Sequence, residues 1–322
     1  MLALGKWLEL TLAGREPMEK IQLTAKGVKL HWLAEGAMLI TPPAKQDTGA
    51  DVVLSAGVHG NEVIPILLLD RLIRRIARGE LIPGVRVLCL LGNPGAVRKG
   101  VRALETDLNR LFLGAHADAG GDEAFRAAEL ERLVETFYAD AARTRRHYDL
   151  HSPMRASRHA QFAVRPAQDA AVSDEALARL ADTAIEGLVL QERPTRTFSA
   201  HTAMQFEADS FTLELTDAPS LGRVEAGLAR VIAGQAPEAG TRPKLYRVVQ
   251  EILRRSEGFY LRLPADIENF APVARGSLLA EEAGGGRQIV EEEGAHILFP
   301  MAQVAIGQRA GLILVECESQ PA

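Results

Sequence analysis

The stretch whose reading decides the fold is DVVLSAGVHGNEVIPILLLDRLI, residues 51–73. Val52-Val53-Leu54 opens it as a continuous apolar run, the pattern of a strand buried on both faces. The run breaks at Gly57. An apolar helical stripe follows over 62–78 through Val63, Ile66, Leu67, Leu69, Ile73 and Ile76, with Pro65 in the first turn, where its missing N–H does no harm. His59 and Glu62 stand at the junction. In open α/β sheets, sites form at the carboxyl ends of strands. Two such side chains can supply two of the three protein ligands that a catalytic Zn²⁺ takes. The same spacing also suits a hydrogen-bonded histidine followed by a glutamate that the helix dipole favours.

Outward from this stretch the pattern repeats. Pro83-Gly84 turns the chain into a second buried strand, 85–91, which ends in Gly92-Asn93-Pro94-Gly95. The irregular segment 92–114 is basic in its first half, and its regular apolar punctuation argues for order. A helix is predicted over 122–143, then a short strand closing on His151, strands at 161–166 and 210–216, and helices at 174–189 and 222–235. Strands alternating with helices predict an α/β protein with a mainly parallel (mixed) sheet flanked by helices. Residues 1–50 read as a prelude with strand-like alternation in VKLHWLAEGAMLITPP. After the linker APEAGTRP (236–243) the chain changes to short β-type runs, which predicts a smaller, separate all-β domain. The expected division is 1–240 and 241–322.

Composition narrows the function classes. The 322 residues are 47% apolar and 25% charged, ordinary for a globular protein. A net charge of −5 speaks against a general nucleic-acid binder. Cys89 and Cys317 cannot form a disulfide framework. No window approaches about 18 uninterrupted apolar residues, so no membrane span is expected. The N-terminal MLALGKWLELTLAG has no basic region before an apolar core, which favours a cytoplasmic place. Small anionic molecules remain natural partners for the arginines. The sequence does not fix the oligomeric state and is compatible with a homo-oligomer.

Three constellations carry chemistry. His151, at its own strand end, can join His59 and Glu62 at the shared sheet edge, giving two imidazoles and a carboxylate. Asp149 shares the face of His151 by the period of two and is placed to orient it. Glu214 lies in the apolar run Phe211-Thr212-Leu213-Glu214-Leu215, where a carboxylate is costly unless it is paired or faces a polar cavity. It is either a general base with a raised pKa or half of a structural ion pair. Arg102, Asn109 and Arg110 can grip carboxylates, or belong to a solvated charged loop in which Asp107 pairs with Arg110.

These pieces occur in one order: Gly57-Val58-His59-Gly60-Asn61-Glu62, Asn93-Pro94-Gly95-Ala96, Gly100-Val101-Arg102, Asp107-Leu108-Asn109-Arg110-Leu111-Phe112, Asp149-Leu150-His151 and Thr212-Leu213-Glu214-Leu215. The set resembles the succinylglutamate desuccinylase/aspartoacylase family, a branch of the zinc-carboxypeptidase-like fold. Glu268-Asn269-Phe270, Gly276-Ser277-Leu278-Leu279-Ala280, Leu298-Phe299-Pro300 and Gly307-Gln308-Arg309-Ala310-Gly311 extend the resemblance to the C-terminal β module of the bacterial desuccinylases. It implies one Zn²⁺ per subunit held by His59, Glu62 and His151, Glu214 as general base, Arg102 at the oxyanion, and Asn109 with Arg110 on the α-carboxylate of an N-acyl amino acid. It further implies hydrolysis of N-succinyl-L-glutamate to succinate and L-glutamate, a step of arginine catabolism. The alternative is an aspartoacylase-like deacylase of another N-acyl amino acid. One departure is Thr216-Asp217-Ala218 after Glu214-Leu215, where the family often has glycine. Arg155, Arg158 and Arg165 follow the third ligand and are candidates for the succinyl end.

Overall fold

The computed structural model describes residues 3–318, so the outermost residues of both expected units, 1–2 and 319–322, lie outside it. Helix α1 (Trp7–Leu12) precedes an antiparallel meander of β1 (Ile21–Leu23), β2 (Lys29–Ala34) and β3 (Ala37–Thr41). The α/β pattern then begins with β4 (Ala50–Ala56), α2 (Val63–Ala77), β5 (Arg86–Leu91), α3 (Pro94–Lys99) and α4 (Asp122–Phe137). It continues with β6 (Thr144–His151), β7 (Gln161–Arg165), α5 (Asp174–Asp182), β8 (Gly187–Leu190), α6 (Phe198–Phe206), β9 (Asp209–Leu215) and α7 (Leu221–Ile232). Beyond 240 come β10 (Lys244–Leu253), β11 (Tyr260–Leu261), β12 (Pro272–Val273), β13 (Leu278–Glu281), β14 (Arg287–Ile289), β15 (Ala295–Leu298) and β16 (Arg309–Cys317).

Thirteen strands form one mixed sheet in the order β1-β2-β3-β5-β4-β6-β9-β7-β8-β10-β16-β15-β12. Its centre, β5-β4-β6-β9, is parallel, so the carboxyl ends of β4, β6 and β9 share one edge. Every residue of β4 is buried, and the period of two deals its side chains to two cores. Val52 and Leu54 pack with Leu68, Leu72 and Leu228 on the α2/α7 face. Val53 packs with Leu88, Leu130 and Val134 on the α4 face. Burial on both faces is why the opening run is apolar without alternation.

The expected α/β order stands, with two local differences. The helix expected over 174–189 ends at Asp182; Ala184 takes a positive φ of 56°, and Gly187–Leu190 is a fully buried strand. A short apolar run reads alike as buried strand or helix, and here the sheet claims it. The helix expected to reach 143 stops at Phe137. Segment 92–114 is ordered locally: Asn93 Oδ1 accepts from the Ala96 N–H and Pro94 opens α3, while Asp107 caps a 3₁₀ turn at Leu108–Arg110.

The sheet continues across the linker. β10 pairs in parallel with β8, and then antiparallel with β16. Phe162, Val164 and Val189 share a core with Tyr246, Phe270, Leu298, Leu312 and Leu314. A second, small sheet of β11, β13 and β14 stands beside it.

Candidate active site

The backbone after β4 is shaped by two glycines. Gly57 sits at φ +67°, and a Cβ there would meet Leu91 Cδ1 at 2.8 Å. Gly60 lets this turn press on α3: an added Cβ would lie 2.2 Å from the Ala96 carbonyl carbon. The Gly60 N–H donates to the Arg102 carbonyl at 3.1 Å, which ties the His59 turn to the Arg102 loop. Gly60→Ala therefore forces backbone apart, and its expected cost is about 1–3 kcal/mol. A denaturation midpoint equal to that of the unaltered chain would contradict this.

His59 precedes α2, Glu62 is its N-cap residue, and His151 ends β6. His59 Nδ1 lies 2.7 Å from Glu62 Oε1, His151 Nδ1 lies 3.0 Å from Glu62 Oε2, and the two Nδ1 atoms are 3.2 Å apart. All three residues are buried, and their ligand atoms lie within 4.8 Å of one another. Each imidazole presents its other nitrogen to a carboxylate: His59 Nε2 to Asp107 at 3.0 Å and His151 Nε2 to Asp149 at 2.9 Å. Those contacts place a proton on each Nε2 and leave a lone pair on each Nδ1. With the rings neutral, two imidazole lone pairs and the Glu62 carboxylate converge, an arrangement that a cation satisfies in place of protons. The residues fit a metal ion on this ground.

The electrostatics agree. Burial works to raise the Glu62 carboxyl, yet His151 and His59 hold it well below the usual carboxylate range. Asp107 is likewise depressed against its burial, by His59 and then Arg110 and Arg102. Burial works to lower His151, but Asp149 and Glu62 outweigh it and lift the ring well above its ordinary value. The pocket favours positive charge.

Asp149 is itself anchored through a buried chain of groups. Ser55, its register partner on β4, gives it a hydrogen bond of 2.5 Å. With that proton committed, Ser55 Oγ accepts from His147 Nε2 at 2.8 Å, and His147 Nδ1 accepts from Thr202 Oγ1 of α6 at 2.8 Å. Burial pushes His147 down to about 4, against the pull of Asp149, so the ring is neutral and its single proton faces Ser55. Thr202, His147 and Ser55 deliver one donor to Asp149, which accepts from His151.

Glu214 is the register partner of His151 on β9. It is buried, and its Oε2 has no hydrogen-bond partner among the described residues. Burial lifts its carboxyl to about 7; Glu62 adds to the rise, while His151, His59 and Arg102 oppose it. Of the two readings open in sequence, no ion pair involving Glu214 exists among the described residues. Arg102 reaches Glu62 Oε1 at 3.4 Å and Asp107 Oδ2 at 3.5 Å. Asn109 is buried; its Oδ1 accepts from the Phe198 N–H at 2.9 Å, and Arg110 Nη1 donates to the Asn109 carbonyl at 2.9 Å.

The structure thus brings His59, Glu62, His151, Asp149, Glu214 and Arg102 together, with Asn109 and Arg110 one turn further along the Asp107 loop. Sequence reading missed the partners of Asp107, which are His59 and Arg102 rather than Arg110. It also missed Ser55 and His147, whose only signal is polarity inside apolar strands. Arg155 is occupied by the Ala265 and Ile267 carbonyls, Arg158 lies 3.7 Å from Glu268, and Arg165 binds the Ala170 carbonyl.

An open α/β sheet that gathers two imidazoles, a carboxylate and a desolvated glutamate at the ends of its parallel strands can hold a metal ion beside a base, the arrangement that metal-assisted hydrolysis uses. The comparisons narrow this. The model of the succinylglutamate desuccinylase/aspartoacylase catalytic domain matches residues 48–233, and that of the AstE/AspA barrel-sandwich hybrid domain matches 241–317. The chain is 51% identical over 328 residues to the succinylglutamate desuccinylase of Pseudomonas paraeruginosa, covering 98% of this chain and 99% of that one. Crystal structures named succinylglutamate desuccinylase also superpose on it. The one from Chromobacterium violaceum has 33% identity and a TM-score of 0.85, with 98% of each chain covered. The one from Vibrio cholerae has 30% identity and a TM-score of 0.88, with 96% of this chain and 94% of that one covered. The chain belongs to the succinylglutamate desuccinylase/aspartoacylase family.

Proposed function

We propose that this chain hydrolyses the amide bond of N-succinyl-L-glutamate to succinate and L-glutamate with one Zn²⁺ held by His59, Glu62 and His151. The observation that carries the reading is the convergence of both Nδ1 atoms on Glu62 beside a glutamate whose carboxyl is lifted to about 7. The relatives' shared name supports the substrate. When bound, zinc supplies Lewis acidity, lowering the pKa of a water and polarising a carbonyl.

The protein's own groups do the rest. Glu214 takes a proton from the attacking water, whose oxygen bonds to the amide carbon. Arg102 meets the charge that develops on the carbonyl oxygen. The C–N bond then breaks, and Glu214 returns the proton to the departing nitrogen. Asn109 and Arg110 hold the α-carboxylate, which fixes the amide relative to Glu214. Asp107 and Asp149 fix the imidazole tautomers.

The same reading divides the chain into a catalytic unit, 1–240, and a β unit, 241–322. It places a small-molecule enzyme of arginine breakdown in the cytoplasm, acting without nucleic acid or membrane. Among the described residues no helix is long and apolar enough to cross a membrane. Ser55→Ala removes the donor to Asp149, and the expected result is about tenfold weaker zinc retention against a competing chelator. An unchanged affinity would break the link drawn through Asp149. For the substrate, purified protein should turn over N-succinyl-L-glutamate far faster than N-acetyl-L-aspartate; the reverse preference would move the chain to the aspartoacylase side of the family.

A further inference from the structure

A cavity of about 90 Å³ opens between the segment after β8 and the β10/β16 pair, lined by Gln191, Arg193, Thr195, Glu251, Arg309 and Leu312 among others. Its two arginines differ. Arg193 is paired with Glu251 at 3.3 Å. The partly buried Arg309 guanidinium has no hydrogen bond or ion pair among the described residues. Burial disfavours its charge, the nearby cation Arg110 disfavours it further, and Glu251 only partly offsets them. Arg309 is thus a half-buried cation with no carboxylate bound to it and a second cation nearby, a deficit that an anion would relieve.

The backbone locks this cavity to the candidate active site. Thr195 lies on its wall, Thr197 caps α6, and the next N–H, that of Phe198, donates to Asn109 Oδ1. Asn109 and Arg110 are adjacent residues of the 3₁₀ turn. The turn proposed to hold the α-carboxylate is therefore linked to the wall of this cavity, and Arg110 is near enough to Arg309 to disfavour its charge.

We propose that Arg309, a residue of the β unit, receives the side-chain carboxylate of the leaving amino acid. The inference deepens the proposed function and rests on it. In L-glutamate the two carboxylates are separated by the α-carbon and two methylenes, so neighbouring cations can take one each. The acyl carboxylate lies across the scissile amide from both. Arg309 is thus a specificity-determining residue, and through it the β unit completes the site.

The test compares N-succinyl-L-glutamate with N-succinyl-L-glutamine, which is nearly isosteric and neutral at the side chain. The unaltered protein should prefer the glutamate substrate. Arg309→Gln should lower kcat/KM for it by about ten- to hundredfold, mainly through KM, while the glutamine substrate changes little. Arg309→Lys should recover part of the preference, which separates recognition from a folding defect. A glutamate-to-glutamine preference unchanged in Arg309→Gln would overturn the proposal. If the unaltered protein hydrolyses neither substrate, the desuccinylase reading fails, and calorimetry still decides Arg309. Weaker L-glutamate binding to Arg309→Gln than to the unaltered chain sustains the assignment, and equal binding ends it.

Discussion

Glu214→Gln is expected to lower kcat by about 10²–10⁴-fold, the range that a positioned general base contributes, while zinc content stays at one per chain. Glutamine keeps the shape and the β9 register opposite His151 but cannot take a proton. The unaltered protein should also show a pH signature. The Glu214 carboxyl is lifted to about 7, chiefly by burial, and its base role needs the ionised form. Activity is therefore full above the folded pKa and falls as pH drops through it. A divalent cation beside the carboxylate pulls that value down, so the acid limb of kcat/KM lies at or below about 7. Steady-state kinetics across pH 5–9 check both points. Near-normal turnover in Glu214→Gln with zinc bound would remove the base from the account.

His59→Ala and Glu62→Ala should each strip the protein of zinc and bring hydrolysis to background. Each removes one of the three groups proposed to hold the metal, whose candidate ligand atoms lie within 4.8 Å of one another. Each also strands a partner: Asp107 loses the donor at 3.0 Å, or His151 loses the carboxylate at 3.0 Å. Metal analysis after gel filtration is the direct check. Stoichiometric zinc in both variants would dissolve the ligand assignment, whatever their activity.

Much of this was legible because it is one-dimensional. The buried run at 52–54 declares a strand, Gly57 its end, and the apolar stripe of α2 a helix, so His59 and Glu62 fall at a strand-to-helix junction without any knowledge of the tertiary structure. His151 and Glu214 follow from the rule that parallel strands share a carboxyl edge, and the β6/β9 register sets them opposite each other. What stayed hidden is tertiary. The segment Gly187–Leu190 reads as the end of a helix until β7 and β10 claim it from either side. Asp107 sits near two arginines in sequence, yet its closest side-chain partner is His59, forty-eight residues away. Ser55 and His147 are interpretable only once β4 and β6 are laid side by side. Arg309 belongs by sequence to the β unit, and the pairing of β8 with β10 that joins this unit to the α/β sheet has no signal in the sequence.

The measurement that bears most directly on the central claim is a zinc titration of metal-free protein, followed by release of L-glutamate from N-succinyl-L-glutamate. Activity should be at background without metal, rise linearly with added zinc and break at one equivalent per chain. Full activity in metal-free protein, or saturating zinc binding with no glutamate released, would contradict it.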